Sequence, residues 1–222
     1  MNATGLRQCF EGGAPLFSLK NVKYKDILTY PNINLPKDAA SFVCGESGSG
    51  QSTLLRLLNG VDSPSFGEIT YLEKNIEDYD PILLRQEALL VGQSVYLFDM
   101  PIKECFDEYY SYRGLEKPCE SYINKFLNIC SINLPLDCNC QVLSGGERQR
   151  VFIAINLSLA PKVLMMDEPT SALDDKNANA LMENIRAYCG ENDITLIVVS
   201  HDKSIAKKYA DNIVTLSGGR GK

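Results

Sequence analysis

Gly45-Glu46-Ser47-Gly48-Ser49-Gly50-Gln51-Ser52-Thr53 is the stretch on which the reading of this chain turns. It fits the phosphate-cradling pattern G-x-x-x-x-G-K-[ST] at every required position but one, where Gln51 stands in place of lysine. Gly45, Gly48 and Gly50 allow a tight turn and a close backbone approach to a phosphate. The loop leaves a short apolar strand, Ser41 to Cys44, and enters a helix, Ser52 to Leu58, so its amides and the helix N-terminus face an anion. Ser47 and Ser49 fill the variable positions. The Ser52 hydroxyl is placed to hold Mg²⁺, and Thr53 to touch a phosphate. A Gly/Ser linker is the bland rival, and the strand-loop-helix setting argues against it.

Gln51 changes the energetics of that loop. A lysine brings a full charge to the β- and γ-phosphates, worth on the order of 4 kcal/mol at ~4 Å and an effective dielectric of about 20, before desolvation. Glutamine keeps an N–H donor without the charge. Weaker nucleotide binding and turnover lower by roughly two orders of magnitude are the expectation, since about 1.36 kcal/mol is a factor of ten.

Outward from the loop, the N-terminal part reads as short strands: Phe17 to Tyr24, Ile33 to Leu35 and Glu68 to Leu72, punctuated by Pro31, Pro36, Pro64 and Gly67. The middle changes character. Tyr122, Phe126 and Ile129 recur at helical spacing, and Pro101, Pro118 and Pro135 divide the region. Residues 95–139 read as a helical subdomain set into a core made of 16–94 and 140–222. From 147 onward the pattern alternates helix (Glu147 to Leu159, with Val151, Ile155 and Leu159 on one face), strand (Val163 to Asp167), helix (about Lys176 to Cys189), strand (Ile194 to Ser200), helix (Lys203 to Tyr209) and strand (Ile213 to Leu216). Such alternation implies a parallel sheet covered on both faces. The fold class is therefore α/β, with a mostly parallel sheet, an antiparallel β subdomain near the N-terminus and a helical insertion.

Two further motifs carry chemistry. Leu143-Ser144-Gly145-Gly146-Glu147 opens a helix, which places a hydroxyl and unpaired amides where an anion can bind. Val163-Leu164-Met165-Met166-Asp167-Glu168 is an apolar strand ending in two carboxylates, Asp167 suited to Mg²⁺ through water and Glu168 suited to polarise an attacking water.

Taken together these motifs closely resemble the nucleotide-binding domain of ATP-binding cassette (ABC) transporters, over about Leu16 to Gly219. The resemblance implies a RecA-like P-loop NTPase core and assigns the remaining positions. Gln93, in Val91-Gly92-Gln93-Ser94-Val95, contacts Mg²⁺ and the water. Ser144, Gly145 and Gly146 form the signature loop, Asp174 ends a loop (Ser171-Ala172-Leu173-Asp174) that contacts a second copy, and His201 senses the γ-phosphate. It further implies ATP and Mg²⁺ as ligands and a head-to-tail pairing, as a homodimer or with a related ATPase subunit. Each ATP then lies between one phosphate loop and the partner's Ser144 and Gly146. A separate transmembrane permease, driven from the cytoplasmic face, completes the assembly, with Tyr96, Leu97 and Phe98 as docking contacts or core. The adenine base calls for an aromatic platform, with Tyr24 the candidate and Tyr30 behind it. Leu216-Ser217-Gly218-Gly219-Arg220 repeats the signature letters with no helix after them and reads as a terminal turn.

Composition narrows the rest. A net charge of −6 over 222 residues argues against bulk nucleic-acid binding. No apolar run approaches the roughly 20 residues that cross a bilayer. Residues 1–15 read as a loose tail without an apolar signal segment. The eight cysteines are scattered and read as reduced thiols, with Cys138-Asn139-Cys140 a weak metal or redox pair beside a single histidine. Three functions remain open: a transporter ATPase subunit, a non-transport ABC ATPase, and a regulatory nucleotide-binding module with Gln51 as its mark. The intact Asp167, Glu168, His201 and signature loop favour the first.

Overall fold

The structure is a computed structural model that describes residues 14–217. In chain order it contains β1 (Phe17–Tyr24), β2 (Leu28–Thr29), β3 (Ile33–Leu35), β4 (Ala40–Gly45), α1 (Gln51–Leu58), β5 (Phe66–Tyr71), β6 (Lys74–Asn75), α2 (Pro81–Glu87) and β7 (Ala88–Val91). Then follow α3 (Ile102–Tyr112), α4 (Glu120–Ile129), α5 (Gly145–Ser158), β8 (Val163–Asp167), α6 (Asp175–Glu191), β9 (Thr195–Val199), α7 (Lys203–Tyr209) and β10 (Asn212–Leu216).

The strands form two sheets. β10-β4-β9-β8-β7 is all parallel, as the strand-helix alternation implies. β2-β1-β5-β6, with β3 also on β1, is antiparallel. Successive side chains of a strand point to opposite faces, and here that alternation divides the interior into two cores. Phe42, Leu164, Met166, Leu196 and Val198 join the core built with α3 to α7. Val43, Val163, Met165, Ile197 and Val199 join Leu54, Leu55, Leu57 and Leu58 of α1 and the antiparallel sheet. Helix α1 is thus wedged between the two sheets, and it carries the phosphate loop at its N-terminus.

Differences from the sequence reading have local causes. The expected amphipathic helix near 147–159 is buried all round: Val151, Phe152, Ile153, Ala154, Ile155 and Leu157 are all in the core, so no single apolar face exists. Its buried Asn156 is satisfied locally, donating Nδ2–H to the Phe152 carbonyl at 2.8 Å. Helix α2 and strand β7 were not foreseen. They supply the parallel edge strand whose carboxyl end delivers Gln93.

The segment between β7 and α5 leaves and returns at one place. Pro101 and Asn139 form an antiparallel bridge, and Cys140 N–H donates to the Met100 carbonyl at 3.0 Å. Of residues 1–15 only 14 and 15 are described. Gly218, Gly219 and Arg220 of the repeated signature letters lie outside the described residues.

Candidate functional site

In a doubly wound sheet the ligand crevice lies beyond the carboxyl ends of the strands. Four such ends converge here: the loop after β4, Gln93 after β7, Asp167 and Glu168 at the end of β8, and His201 after β9. With Ile27, Leu28, Ser171 and Val199, the residues Ser47, Gly48, Gly50, Gln51, Ser52, Thr53, Gln93, Asp167, Glu168 and His201 line one cleft of about 430 Å³.

The phosphate loop is braced from below. Gly50 has φ +93°, a left-handed conformation that glycine adopts readily. A buried Tyr30 donates its hydroxyl hydrogen to the Gly50 carbonyl at 2.8 Å. Tyr30 is therefore a strut under the loop and not a base platform. Burial pushes its phenol well above the usual tyrosine range.

Gln51, the first residue of α1, is 5% exposed. Its Nε2 donates to the Val43 carbonyl at 3.4 Å, and its Oε1 accepts from the Ser49 hydroxyl at 3.2 Å. The N–H donor that sequence reading offered to a phosphate is thus turned back onto strand β4, and the amide oxygen onto Ser49 of the loop. Among the described residues no lysine or arginine lines the cleft.

At the opposite wall, Glu168 has φ +52°, a left-handed turn that costs a non-glycine residue roughly 1–2 kcal/mol. Its backbone is held on three sides. The N–H donates to the Val199 carbonyl at 3.0 Å, and the carbonyl accepts from Gln149 Nε2 and from Ser171 Oγ, both at 3.0 Å. The side chain ends in a buried Oε1 without a hydrogen-bond partner. Burial raises the Glu168 pKa above the ordinary carboxylate value, His201 opposes that shift, and Asp167 and Asp202 add to it.

His201 Nε2 lies 3.4 Å from Glu168 Oε1, and Nδ1 lies 3.1 Å from the Gly45 carbonyl. A carbonyl only accepts, so Nδ1 carries the proton, and in the neutral ring Nε2 is then an acceptor facing a carboxylate oxygen. The pair attracts only when one of the two holds a further proton. This geometry ties the histidine to the phosphate loop and to the carboxylate at once.

Ser52, Gln93 and Asp167 supply oxygen donors on one cleft, the donor chemistry that Mg²⁺ selects. The residues present therefore fit the ion.

Other sequence candidates lie elsewhere. Tyr24 is not among the cleft-lining residues. It is half-buried, with the Lys25 ammonium over its ring at 5.0 Å. Ile27 and Leu28, which sequence reading missed, supply the apolar wall instead, and Ile27 is 57% exposed. Ile27 lies in the turn before the two-residue β2 and Leu28 begins it, a signal too short to stand out.

Ser144, Gly145, Gly146 and Asp174 are also off the cleft. Ser144 caps α5 in a reciprocal box: its hydroxyl accepts from Glu147 N–H, and Glu147 Oε2 accepts from Ser144 N–H at 2.9 Å. Asp174 caps α6, accepting from Asn177 N–H at 2.8 Å. A Cβ on Gly146 would sit 2.8 Å from Leu173 Cδ2 and 3.0 Å from the Ala172 carbonyl oxygen, so the 144–146 loop packs directly on the 171–174 loop. Ser171 lines the cleft while Asp174 stands beyond it, so the 171–174 loop links the two surfaces.

Beyond Gln93, Leu97 is core. Phe98 packs half-buried against Tyr109 and Tyr112, while Tyr96 and Tyr112 remain exposed.

Geometry of this kind defines a P-loop nucleotide-hydrolase class, and the comparisons with known proteins narrow it. The family model described as "ABC transporter" matches residues 28–171. The chain is 32% identical over 212 residues to the probable iron export ATP-binding protein FetA of Escherichia coli (strain K12), covering 94% of each. The structure of cbiO1 from Clostridium perfringens, part of the ABC transporter complex cbiONQ, superposes with a TM-score of 0.81 at 28% identity, covering 94% of this chain and 87% of that one. The dimeric structure of the bacterial ABC transporter cassette MJ0796 gives 0.80 at 26% identity, covering 91% and 95%. Some relatives are longer: the chain spans 52% of a methionine import ATP-binding protein, MetN, of Rhodopseudomonas palustris (strain BisA53). This chain belongs to the ABC transporter family, as an ATP-binding cassette of the ATPase class. Among the described residues no helix is long and apolar enough to cross a membrane.

Proposed function

We propose that this chain binds ATP and Mg²⁺ in the cleft, hydrolyses ATP on pairing head to tail with a second copy or a related ATPase subunit, and drives a separate membrane-spanning permease from the cytoplasmic face. The observation that carries this reading is the division of labour in the fold. The phosphate loop, Gln93, Asp167, Glu168 and His201 share one cleft, whereas Ser144 and Asp174 stand on a surface of their own.

ATP is the substrate. The loop amides of 47–53 and the N-terminus of α1 receive its phosphates. Ile27 and Leu28 offer an apolar wall to the base. Ser52, Gln93 and Asp167 would hold Mg²⁺, which when bound neutralises charge on the phosphate oxygens. Glu168 Oε1, the unpartnered buried acceptor, takes the proton of the attacking water. With a proton on each ring nitrogen, His201 positions the Glu168 carboxylate through Nε2–H while its Nδ1–H reports on the loop through the Gly45 carbonyl. Ser144 and the amides of Gly145 and Gly146 close on the partner's phosphates. Gln51 withholds the cation that would stabilise the transferring phosphoryl group, so turnover is low. Residues 95–139 act as the helical subdomain, and Tyr96 and Tyr112 face the permease.

Phosphate release measured at rising protein concentration tests this. The rate per chain should rise with concentration, as a paired catalyst requires, and vanish in Glu168→Gln. A rate per chain independent of concentration would overturn the pairing, and one unchanged in Glu168→Gln would overturn the site.

A further inference from the structure

Cys138 and Cys140 are neighbours in sequence, but the sulfur facing Cys140 belongs to another element. Cys105, in the first turn of α3, places its Sγ 3.5 Å from that of Cys140. Both residues are fully buried, and all seven described cysteines are free thiols. The sulfurs would need to close by about 1.5 Å to reach a disulfide bond length near 2.05 Å.

The place matters as much as the distance. Cys105 Sγ–H also points to the Phe98 carbonyl at 3.7 Å, five residues past Gln93. Cys140 lies four residues before Ser144. Its N–H donates to the Met100 carbonyl at 3.0 Å, and its carbonyl accepts from Arg148 of α5. The two sulfurs thus stand between the stretch that leaves the Gln93 loop and the stretch that enters the 144–146 loop.

We propose that Cys105 and Cys140 are a redox pair, oxidised by hydrogen peroxide to a disulfide that staples these two stretches together. The Cys105 thiolate attacks one peroxide oxygen, the O–O bond breaks, and a sulfenic acid forms with release of hydroxide, which takes up the thiol proton as water. The Cys140 sulfur then attacks Cys105 Sγ, the S–O bond breaks, and a second water leaves. Two thiols and one peroxide become one disulfide and two waters.

The lead role falls to Cys105 because the contact with the Cys140 sulfur holds its pKa down, with Arg148 acting the same way and burial opposing, while the partner thiol is raised. A small oxidant suits a pair with no exposed surface, reached through transient opening of the segment.

Peptide mapping of the peroxide-treated full chain tests the proposal without any substitution. Expected are a Cys105–Cys140 linked peptide, loss of both thiols to alkylation, recovery of both with dithiothreitol, and slowed amide hydrogen exchange across 94–104 and 138–144. Cys119→Ala, which removes the exposed thiol among the described residues, should leave the linked peptide intact. Both thiols still alkylated after the exposed Cys119 is consumed would overturn the proposal. So would a Cys138–Cys140 link in place of the predicted one, or a formed bridge that leaves exchange in both stretches unchanged.

Discussion

Ser49 donates its hydroxyl hydrogen to Oε1 of Gln51 at 3.2 Å, inside a loop whose purpose is to meet phosphates. The Gln51 amide hydrogen bonds the Val43 carbonyl at its other end, so the residue braces the loop rather than reaching outward. Restoring the cation should reverse that balance. Gln51→Lys is expected to tighten Mg-ATP binding and raise turnover about a hundredfold, on the scale of the one charge pair it adds. Calorimetric titration and phosphate release measure the two. Equal values for both proteins would mean that the loop has no need of a charge at this position.

Glu168 should separate binding from chemistry. Glu168→Gln keeps the side-chain volume and leaves the backbone bonds to Val199, Gln149 and Ser171 in place. Turnover should fall by roughly 10²–10⁴, the range for losing a general base, while nucleotide affinity stays within about twofold. Measured on a Gln51→Lys background, where the starting rate is higher, the effect is easier to resolve. A parallel loss of binding would show that Glu168 serves the fold.

Ser144 has two duties that can be told apart. As the cap of α5 it contributes about 1 kcal/mol, and Glu147 completes that box. Ser144→Ala and Glu147→Ala should therefore lower stability to denaturant by similar amounts. Only Ser144→Ala should also weaken ATP-dependent pairing, since Glu147→Ala leaves the hydroxyl free. Equal effects on pairing would reduce Ser144 to its structural role.

Gly146→Ala probes the contact between loops. The added methyl would meet Leu173 Cδ2 at 2.8 Å and the Ala172 carbonyl oxygen at 3.0 Å, so the 171–174 loop must shift. Nucleotide binding in the chain's own cleft should hardly change, while turnover should drop at least tenfold. Loss of binding in the isolated chain would contradict this assignment.

The apolar wall of the cleft offers another comparison. Ile27→Ala removes apolar surface from the cleft and should weaken nucleotide binding severalfold. Tyr24→Ala, outside the lining, should not. The reverse ranking would return the base to the tyrosine that the family resemblance singled out.

Much of the fold was legible because its periods are strong. β8 and β9 are unbroken apolar runs between turns, and α1 follows three spaced glycines. Helix α2 and strand β7 escaped because no glycine or proline separates them: Ala88 caps the helix and begins the strand, and the apolar runs on either side of Arg85-Gln86-Glu87 are too short to show a period. Asp80-Pro81 was nonetheless a helix-start signal, since Asp80 Oδ1 accepts from Ile82 and Leu83 N–H. Helix α5 concealed its setting for the opposite reason, for a helix buried on every side has no amphipathic stripe to read. Within the site, residues held by motif spacing were legible. The inward turn of Gln51, the left-handed backbone of Glu168 and the strut from Tyr30 were not, because each depends on carbonyls brought close only by the fold.

The most direct measurement is light scattering on the Gln51→Lys, Glu168→Gln double variant, in which ATP is gripped but not consumed. With Mg-ATP the mass should double. It should fall back to one chain on removal of nucleotide and stay at one chain when Ser144→Arg is added. A single-chain mass at saturating Mg-ATP, or a pair that forms despite Ser144→Arg, would contradict a triphosphate shared between the phosphate loop of one copy and the Ser144 loop of the other.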